Sequence, residues 1–161
     1  MGQRQEPEVF ARALDRLAER GLDFRLVLAG QDAVEPSSIR ADIRLRHGDR
    51  VLAAGPFDVD SYRNWVRRSD IVASCTSHEF FGIAVVEALA AGCRPVLPDG
   101  FSYPEIVPSG VDLYEPGRFG SALADAVIRF ADGFDPIDVR RFGWSVRIDE
   151  YDSLIDGLSA G

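Results

Sequence analysis

Two glutamates and a glycine near the middle of the chain are the residues best suited to chemistry. Glu79 and Glu87 lie eight residues apart, and Gly82 lies between them. A carboxylate has two oxygens that can accept hydrogen bonds from two neighbouring hydroxyls of a sugar. A glycine leaves the backbone bare, so that a phosphate can approach its N–H groups closely. The same spacing also fits two solvated charges on an amphipathic helix, and the spacing alone does not decide between the two.

The segment spanning residues 70–98 predicts a strand, a loop, a helix and a second strand. Residues 70–76 form a short, apolar, β-branched run, which is typical of a buried strand. Apolar residues recur at helical spacing over residues 83–90, and Gly92 marks the end of that helix. A second buried strand begins at Val96. A strand–helix–strand unit of this kind is an ingredient of a parallel sheet.

The predicted helix positions the three residues for chemistry. Glu79 lies just ahead of the helix, Gly82 falls in its first turn, and Glu87 lies one to two turns further in. The first turn of a helix has free N–H groups and about half a positive charge, both of which favour an anion. This placement indicates a site in which a phosphate contacts the helix start and a sugar diol contacts Glu87.

The residues around this pair are more specific than their spacing. The segment from His78 to Val96 reads HEFFGIAVVEALAAGCRPV, and SYPE follows at residues 102–105. The first segment resembles the donor-site motif of the retaining GT-B glycosyltransferases: the first Glu, Phe-Gly, the second Glu and a later Gly-x-x-Pro stand in the family's order. The resemblance extends over about residues 7–155.

The resemblance implies a role for each residue of the motif. Glu79 is expected to meet the donor sugar, as the catalytic residue. The resemblance further implies that backbone amides of Phe81, Gly82 and Ile83 hold the diphosphate and that Glu87, as the second Glu of the motif, holds the ribose hydroxyls. The remaining donor-binding residues that we predict are Gly30, Gln31, Phe57, His78 and Phe80.

The HEFFG and SYPE segments look like the tRNA-queuosine mannosyltransferase branch of this family. The branch implies GDP-mannose as the donor and the queuosine base of tRNA as the acceptor, while the residues leave a UDP-sugar donor open. The loops at Gly30 and Phe57 are predicted to contact the nucleobase. His78 precedes the first Glu in the branch, where a structural hydrogen bond fits as well as acid–base chemistry.

No cofactor or metal is predicted beside the donor substrate. Helix amides and basic side chains suffice to hold a diphosphate, and the Asp-x-Asp triplet Asp58-Val59-Asp60 is better explained as the cap of a helix. A different class of function is also open: a catalytically inactive nucleotide-binding or interaction module of the same fold. The presence of both Glu79 and Glu87 favours a functional donor site over one that has lost its ligand. A related nucleotide-sugar enzyme such as an epimerase is a weaker option, since no epimerase constellation is recognisable.

Composition restricts the class of protein. The chain has 161 residues, 46% of them hydrophobic and 27% charged, which fits a single globular domain over residues 1–161. A net charge of −8 argues against binding nucleic acid through a broad basic face, so that tRNA is expected to bind only through the complete enzyme. No apolar run approaches the roughly 18 residues of a membrane span. Because the N-terminus is polar and the two cysteines lack CxxC spacing, a cytoplasmic location is expected.

Alternating helices and strands predict an α/β fold with a doubly wound, Rossmann-like parallel sheet, the C-terminal half of a GT-B fold. Further helices are predicted at residues 7–20, 36–46, 119–130, 136–142 and 145–158, and one through Tyr62 and Trp65. Residues 98–105 are predicted to be either a functional loop, which the resemblance places near the donor, or a connector that leads into a single helical turn at 103–107. Further strands are predicted at residues 24–29, 51–54 and 111–114. The solvated face of helix 36–46 is predicted to comprise Arg40, Arg44 and Arg46. The loops expected to meet at the carboxyl edge of the sheet follow Gly30, Gly55, Thr76 and Pro98.

The resemblance also indicates two missing parts. The family's N-terminal, acceptor-binding domain is absent from this sequence, so that the chain alone is expected to be catalytically poor. The family's donor domain begins with a strand that ends in an Arg and a Lys, where this sequence has Arg4 and Gln5. Six residues precede Pro7. Because the missing strand is central, we predict either that the strand at Phe24 pairs directly with the strand at Ile71, or that another chain pairs there.

Overall fold

The computed structural model describes residues 6–30, 38–76, 82–143 and 145–148. Its helices are α1 (Glu6–Glu19), α2 (Ser38–His47), α3 (Val59–Arg67), α4 (Ile83–Ala90), α5 (Tyr103–Ile106) and α6 (Phe119–Ile128). Its strands are β1 (Leu26–Ala29), β2 (Val51–Gly55), β3 (Ile71–Ala73) and β4 (Arg94–Val96). Short 3-10 helices lie at Gly48–Arg50, Arg129–Asp132 and Arg140–Phe142. No helix within these ranges has the length and apolar character needed to cross a membrane.

Two local signals define the ends of helices as predicted. The Asp58 carboxylate accepts a hydrogen bond from the backbone N–H of Ser61 at 2.8 Å, and Asp58 is the N-cap of α3. Hydrogen bonds from Ser61 lower the pKa of Asp58 below its usual value. Gly92 follows α4 with a φ of +94°, a left-handed conformation that ends a helix. The interpretation of the Asp-x-Asp triplet as a helix cap is therefore confirmed.

The strands form two parallel pairs instead of one sheet. β1 pairs with β2, and β3 pairs with β4, both in parallel. Among the described residues no ladder joins β1 to β3. The predicted α/β architecture with parallel strands is confirmed. The predicted direct pairing of the strand at Phe24 with the strand at Ile71 is wrong, and the first of these strands begins only at Leu26.

One hydrophobic cluster is shared by both strand pairs. It contains Leu14 and Leu17 of α1 together with Val96 of β4 and Phe119 of α6, and both Leu28 of β1 and Ile71 of β3 pack against it. Side chains of β1 and β3 therefore meet the same core, although no backbone ladder joins the two strands in the described residues.

The space between β1 and β3 is open. Two neighbouring cavities of about 480 and 310 Å³ share Val27, Ile71 and Ala73 in their linings. The side chains of β1 and β3 are half-buried or exposed, whereas Val96 of β4 is buried. Parallel strands in the middle of a sheet are normally buried on both faces. This space, which we call the central gap, lies between β1 and β3, and no strand of the described residues fills it.

Backbone groups of both strands face the central gap. The N–H and C=O groups of successive strand residues point to alternate sides. The Gly30 N–H donates to β2 and the Ser74 N–H donates to β4, which fixes the alternation on each strand. The residues whose backbone groups point into the central gap are then Val27, Ala29, Ile71 and Ala73.

The gap-facing amides are expected to exchange with solvent at least about tenfold faster than the amides of Leu28 and Val72, which face β2 and β4. The reason is that a strand amide without a ladder partner is protected only by its surroundings. Hydrogen exchange followed by NMR on the dilute, monomeric chain measures both sets together. Equal protection of the two sets in a monomer contradicts the prediction. Pairing with another chain stays a prediction, and it is supported if protection of the gap-facing amides appears only as the chain self-associates.

Two hydrophobic clusters pack the helices onto the strands. The first, the α1–α6 core, is built around Leu14, Leu17, Val96, Phe119 and Leu123. The second, the α4–α5 core, is built around Leu89, Leu97, Tyr103, Ile106 and Val107. Helix α4, which carries the predicted site, is thereby fixed on its buried side by α5 rather than by α1 or α6.

Two predicted elements in the C-terminal third are wrong. The predicted strand at 111–114 is reduced to a single bridge between Pro98 and Tyr114. The predicted helix at 136–142 contains only the 3-10 turn Arg140–Phe142. Ile137 and Val139 are both buried in the α4–α5 core, and alternate burial suits an extended chain rather than a helix. Of the predicted helix 145–158, residues 145–148 are helical and the rest lies outside the described residues.

Candidate functional site

Gly82 is the N-cap residue of α4. Its φ of +62° lies in the left-handed region, which glycine adopts without the strain that other residues incur. A Cβ atom at this position would lie 2.6 Å from Cδ1 of Ile106, so that any side chain here would have to displace the end of this buried isoleucine. The prediction placed Gly82 in the first turn of the helix. It lies one position earlier, because a left-handed residue cannot continue a right-handed helix.

The one-turn helix α5 packs behind Gly82 and supports it. A Cβ at Gly82 would also lie 3.7 Å from the Tyr103 ring, and Tyr103 is fully buried. The Tyr103 hydroxyl donates to Oγ of Ser74 at 2.8 Å, which ties α5 to the residue that follows β3. The predicted single turn at 103–107 is confirmed, and its tyrosine holds the start of α4 against the end of β3.

Glu87 lies on the exposed side of α4. Its Oε2 accepts a hydrogen bond of 2.9 Å from the hydroxyl of Tyr62, which lies on α3. Burial, followed by the hydrogen bond and charge of Glu87, raises the pKa of Tyr62 to about 12. The hydroxyl therefore stays protonated at neutral pH and remains a donor. The carboxylate is held at one oxygen and keeps further acceptor positions open toward solvent.

Glycines stand at the carboxyl ends of the other two strands. Gly55 ends β2, and its carbonyl accepts a hydrogen bond of 3.2 Å from the N–H of Gly30, which follows β1. The Gly30 carbonyl accepts a hydrogen bond of 3.1 Å from the guanidinium of Arg40 on α2. The prediction that Arg40 belongs to a solvated helix face is wrong. Its side chain reaches back to the end of β1 and brings a positive charge to this edge.

The smaller cavity of the central gap connects the end of β1 with the start of α4. Its volume is about 310 Å³, and its lining includes Ala29, Tyr62, Ser74 and Ala84. Ala29 ends β1, Ser74 follows β3, and Ala84 lies in the first turn of α4. A single cavity thus contacts the chain just before the loops that follow Gly30 and Thr76, while the loops themselves lie outside the described residues and their meeting stays a prediction.

The structure places five of the ten predicted site residues. Three lie at or on α4, namely Gly82, Ile83 and Glu87, and two follow the strands β1 and β2, namely Gly30 and Phe57. The side chain of Ile83 is 68% exposed, so that the first turn of α4 is open to solvent. The others lie outside the described residues, and their roles stay predictions: Gln31, His78, Glu79, Phe80 and Phe81.

Two residues of this region were not predicted from the sequence. Tyr62 contacts Glu87 across 25 positions of the chain, and Arg40 contacts Gly30 across ten. No local pattern marks either residue, because the tyrosine and the arginine each fit an ordinary amphipathic helix. Only the packing of α3 beside α4, and of α2 beside β2, brings them to the site.

The arrangement suits a ligand that combines a phosphate with a vicinal diol. The start of an α-helix such as α4, capped here by a glycine, is a place where a phosphate is favoured. Glu87 lies five positions along the same helix and can accept hydrogen bonds from hydroxyls. Within the described ranges, no group of three or more His, Cys, Asp or Glu residues could hold a metal ion.

Comparison with known proteins relates the chain to enzymes that transfer sugars. Residues 1–132 match the family described as glycosyl transferases group 1. The chain is 33% identical to the tRNA-queuosine alpha-mannosyltransferase of Drosophila melanogaster, over 65% of this chain and 28% of that protein. It is 34% identical to the D-inositol 3-phosphate glycosyltransferase of Xylanimonas cellulosilytica, over 86% of this chain and 36% of that protein.

A solved structure has the same fold. The crystal structure of AviGT4, a glycosyltransferase involved in avilamycin A biosynthesis, superimposes with a TM-score of 0.63 at 25% sequence identity. The match covers 97% of this chain and 48% of AviGT4. The chain thus spans about half of that protein and about a third of the two relatives. The Rossmann-like α/β architecture predicted from the sequence agrees with this likeness.

Proposed function

Because the chain belongs to the group 1 glycosyl transferases, we propose that it is the donor-binding half of a retaining glycosyltransferase. The reaction is the transfer of a hexosyl group from a nucleoside diphosphate sugar. The observation that carries the proposal is the placement of Gly82 and Glu87 on one helix, with Gly82 as the cap of α4 and Glu87 exposed further along it. Family membership supports the reaction class, and α4 offers separate places for a diphosphate and a ribose.

In this proposal, different residues of the motif bind different parts of the donor. Glu79 positions the hydroxyls of the sugar. Backbone amides at Phe81, Gly82 and Ile83 hold the diphosphate and stabilise the negative charge that develops on it as the sugar departs. Fixed donors aimed at such a leaving group are commonly the largest electrostatic contribution to a transfer reaction. Glu87 accepts hydrogen bonds from both ribose hydroxyls.

The nucleobase binds at the carboxyl ends of β1 and β2 in this proposal. Gly30, Gln31 and Phe57 contact it, with Gly30 fixed in place by Arg40. Gly30 has a φ of +146°, and Arg40 Nη2 would lie 3.3 Å from a Cβ there, so that a side chain is poorly tolerated at this position. His78 and Phe80 complete the donor-binding set.

We further propose GDP-mannose as the donor and the queuosine of tRNA as the acceptor. The HEFFG and SYPE segments support this choice, and so does the 33% identity to a tRNA-queuosine alpha-mannosyltransferase. The net charge of −8 makes a broad tRNA contact on this chain unfavourable. Acceptor binding is therefore assigned to an N-terminal GT-B domain that partners this one. We also propose that the enzyme acts in the cytoplasm.

Calorimetric titration of the chain with GDP, UDP, GDP-mannose and UDP-glucose tests the proposal. Glu87→Ala is expected to weaken the binding of the preferred nucleotide by about 1–3 kcal/mol, because the ribose hydroxyls lose a charged acceptor. Glu19→Ala serves as the matched control, since Glu19 is also exposed and ends α1, on the chain that leads to the start of β1 and not to its carboxyl end. Preference for guanine ligands supports the mannosyltransferase assignment, and preference for uridine ligands keeps the family and rejects GDP-mannose.

The competing function is a catalytically inactive interaction module of the same fold. The donor-binding proposal and this alternative predict different nucleotide binding when the partner domain is supplied. If the chain binds none of the four ligands, and still binds none once an N-terminal GT-B domain is supplied, the donor-binding proposal is wrong. Binding that appears only with that domain present keeps the proposal and assigns part of the donor site to the partner.

A further inference from the structure

Tyr62 is the one described side chain that hydrogen-bonds to the carboxylate of Glu87. We propose that Tyr62 is a positioning residue that orients this carboxylate toward the 2′- and 3′-hydroxyls of a ribonucleotide, and thereby sets the preference for ribose over deoxyribose. The inference rests on the proposed function, because it gives Glu87 the ribose as its ligand. It adds a residue on a different helix to the donor site.

The contact restricts a side chain that is otherwise free. Glu87 is exposed on α4, and a glutamate there loses rotamer freedom when it binds a ligand. The Tyr62 hydroxyl donates to Oε2 at 2.9 Å and holds the carboxylate in one orientation before a ligand arrives. A carboxylate accepts about four hydrogen bonds. Oε1 and the remaining position on Oε2 are thus left for two hydroxyls.

Helix α3 holds Tyr62 in a fixed position. Asp58 caps the helix start, as described above. Near its other end, the carbonyls of Val66 and Ser69 accept hydrogen bonds from the Cys93 thiol, at 3.7 and 3.1 Å. Cys93 lies three residues after the end of α4 and is buried, so that this contact ties the two helices together beside the Tyr62–Glu87 pair. A donor fixed in this way can position a flexible acceptor, rather than the reverse.

The protonation state of Tyr62 suits this role. The pKa of Tyr62 is raised to about 12, first by burial and then by the hydrogen bond to Glu87. The hydroxyl therefore remains a donor well above neutral pH.

The test compares a ribonucleotide with its 2′-deoxy form. The chain, Tyr62→Phe, Glu87→Ala and the double variant are titrated with GDP and 2′-deoxy-GDP, or with UDP and 2′-deoxy-UDP if the chain prefers uridine. Tyr62→Phe is expected to weaken ribonucleotide binding by about 2- to 12-fold, the equivalent of one hydrogen bond. Binding of the deoxy form is expected to change less, so that the ratio of the two affinities falls. In the Glu87→Ala background, Tyr62→Phe is expected to have no further effect.

Tyr114→Phe is the matched control, because its hydroxyl donates to the Ser74 carbonyl at 2.7 Å and does not touch Glu87. If Tyr62→Phe leaves the ratio of ribonucleotide to deoxyribonucleotide affinity unchanged while Glu87→Ala removes the preference for ribose, the proposed function stands and the role of Tyr62 is overturned. The role is also overturned if Tyr114→Phe lowers the ratio as much. If the chain binds nucleotides with no dependence on Glu87, the assignment of the ribose site fails, and the inference fails with it.

Discussion

Gly82→Val is expected to lower the free energy of unfolding by about 2–5 kcal/mol. A non-glycine residue in the left-handed region costs about 1–2 kcal/mol, and Gly82 has a φ of +62°. A side chain forced into filled space adds about 1–3 kcal/mol, and a Cβ here would lie 2.6 Å from Cδ1 of Ile106. Urea denaturation of the two proteins measures the difference. The surviving folded fraction is also expected to lose nucleotide binding, because the start of α4 must shift.

Two further variants separate the backbone cost of Gly82→Val from its steric cost. Gly48→Val is the matched control, since nothing lies within 4 Å of a Cβ at Gly48. Its expected effect is below about 1 kcal/mol, as for an ordinary surface substitution. Combining Gly82→Val with Ile106→Val shortens the clashing side chain and is expected to recover part of the steric cost, leaving the backbone cost. A stability of Gly82→Val equal to that of the parent chain would show that the left-handed cap is not required.

Leu89→Ala is expected to cost about 2–5 kcal/mol of stability, the range for deleting a buried leucine side chain. Leu89 is 1% exposed and lies at the centre of the α4–α5 core. Leu45→Ala makes the same chemical change at a position that is 85% exposed. Its expected effect is within about 0.5 kcal/mol. Urea denaturation measures both variants. If they unfold at the same urea concentration, with the same dependence of the free energy of unfolding on urea, the assignment of Leu89 to a tightly packed core is contradicted.

Leu89→Ala also probes how the site depends on its support. Leu89 lies on the buried side of the helix whose exposed side carries Glu87. A cavity beneath this helix is expected to loosen the Tyr62–Glu87 contact, since the contact needs α3 and α4 at a fixed distance. The variant is therefore expected to bind nucleotide more weakly than its remaining folded fraction accounts for.

The sequence predicted those elements that are defined by local chemistry. The capping carboxylate of Asp58, the left-handed Gly92 and the helical spacing of residues 83–90 all act within a few positions, and each was found where expected. Failures occurred where distant contacts decide. Residues 136–139 are not helical, because Ile137 and Val139 are both buried in the α4–α5 core. The local pattern of these residues had predicted a helix.

The pairing of strands was the hardest feature to predict. From the resemblance we expected the family's first strand to be missing, and we expected one of two responses of the sheet. Deciding against direct pairing required the positions of β1 and β3 in the fold, which no local sequence pattern encodes. For the candidate site, the motif predicted Gly82 and Glu87, whereas Tyr62 and Arg40 are contributed by helices whose approach to the site no local pattern encodes.

The division into two strand pairs affects how the chain unfolds. In the described residues, β1–β2 and β3–β4 are connected through side chains of the α1–α6 core and not through shared backbone hydrogen bonds. Each pair is thus a separate unit of backbone hydrogen bonding, and the packing of the shared core couples the opening of the two units. The proposed donor contacts both units, with its base at Gly30 and its ribose at Glu87. A ligand that requires both units to be folded stabilises both by mass action. Nucleotide binding then provides the cooperativity that a continuous ladder provides in an unbroken sheet.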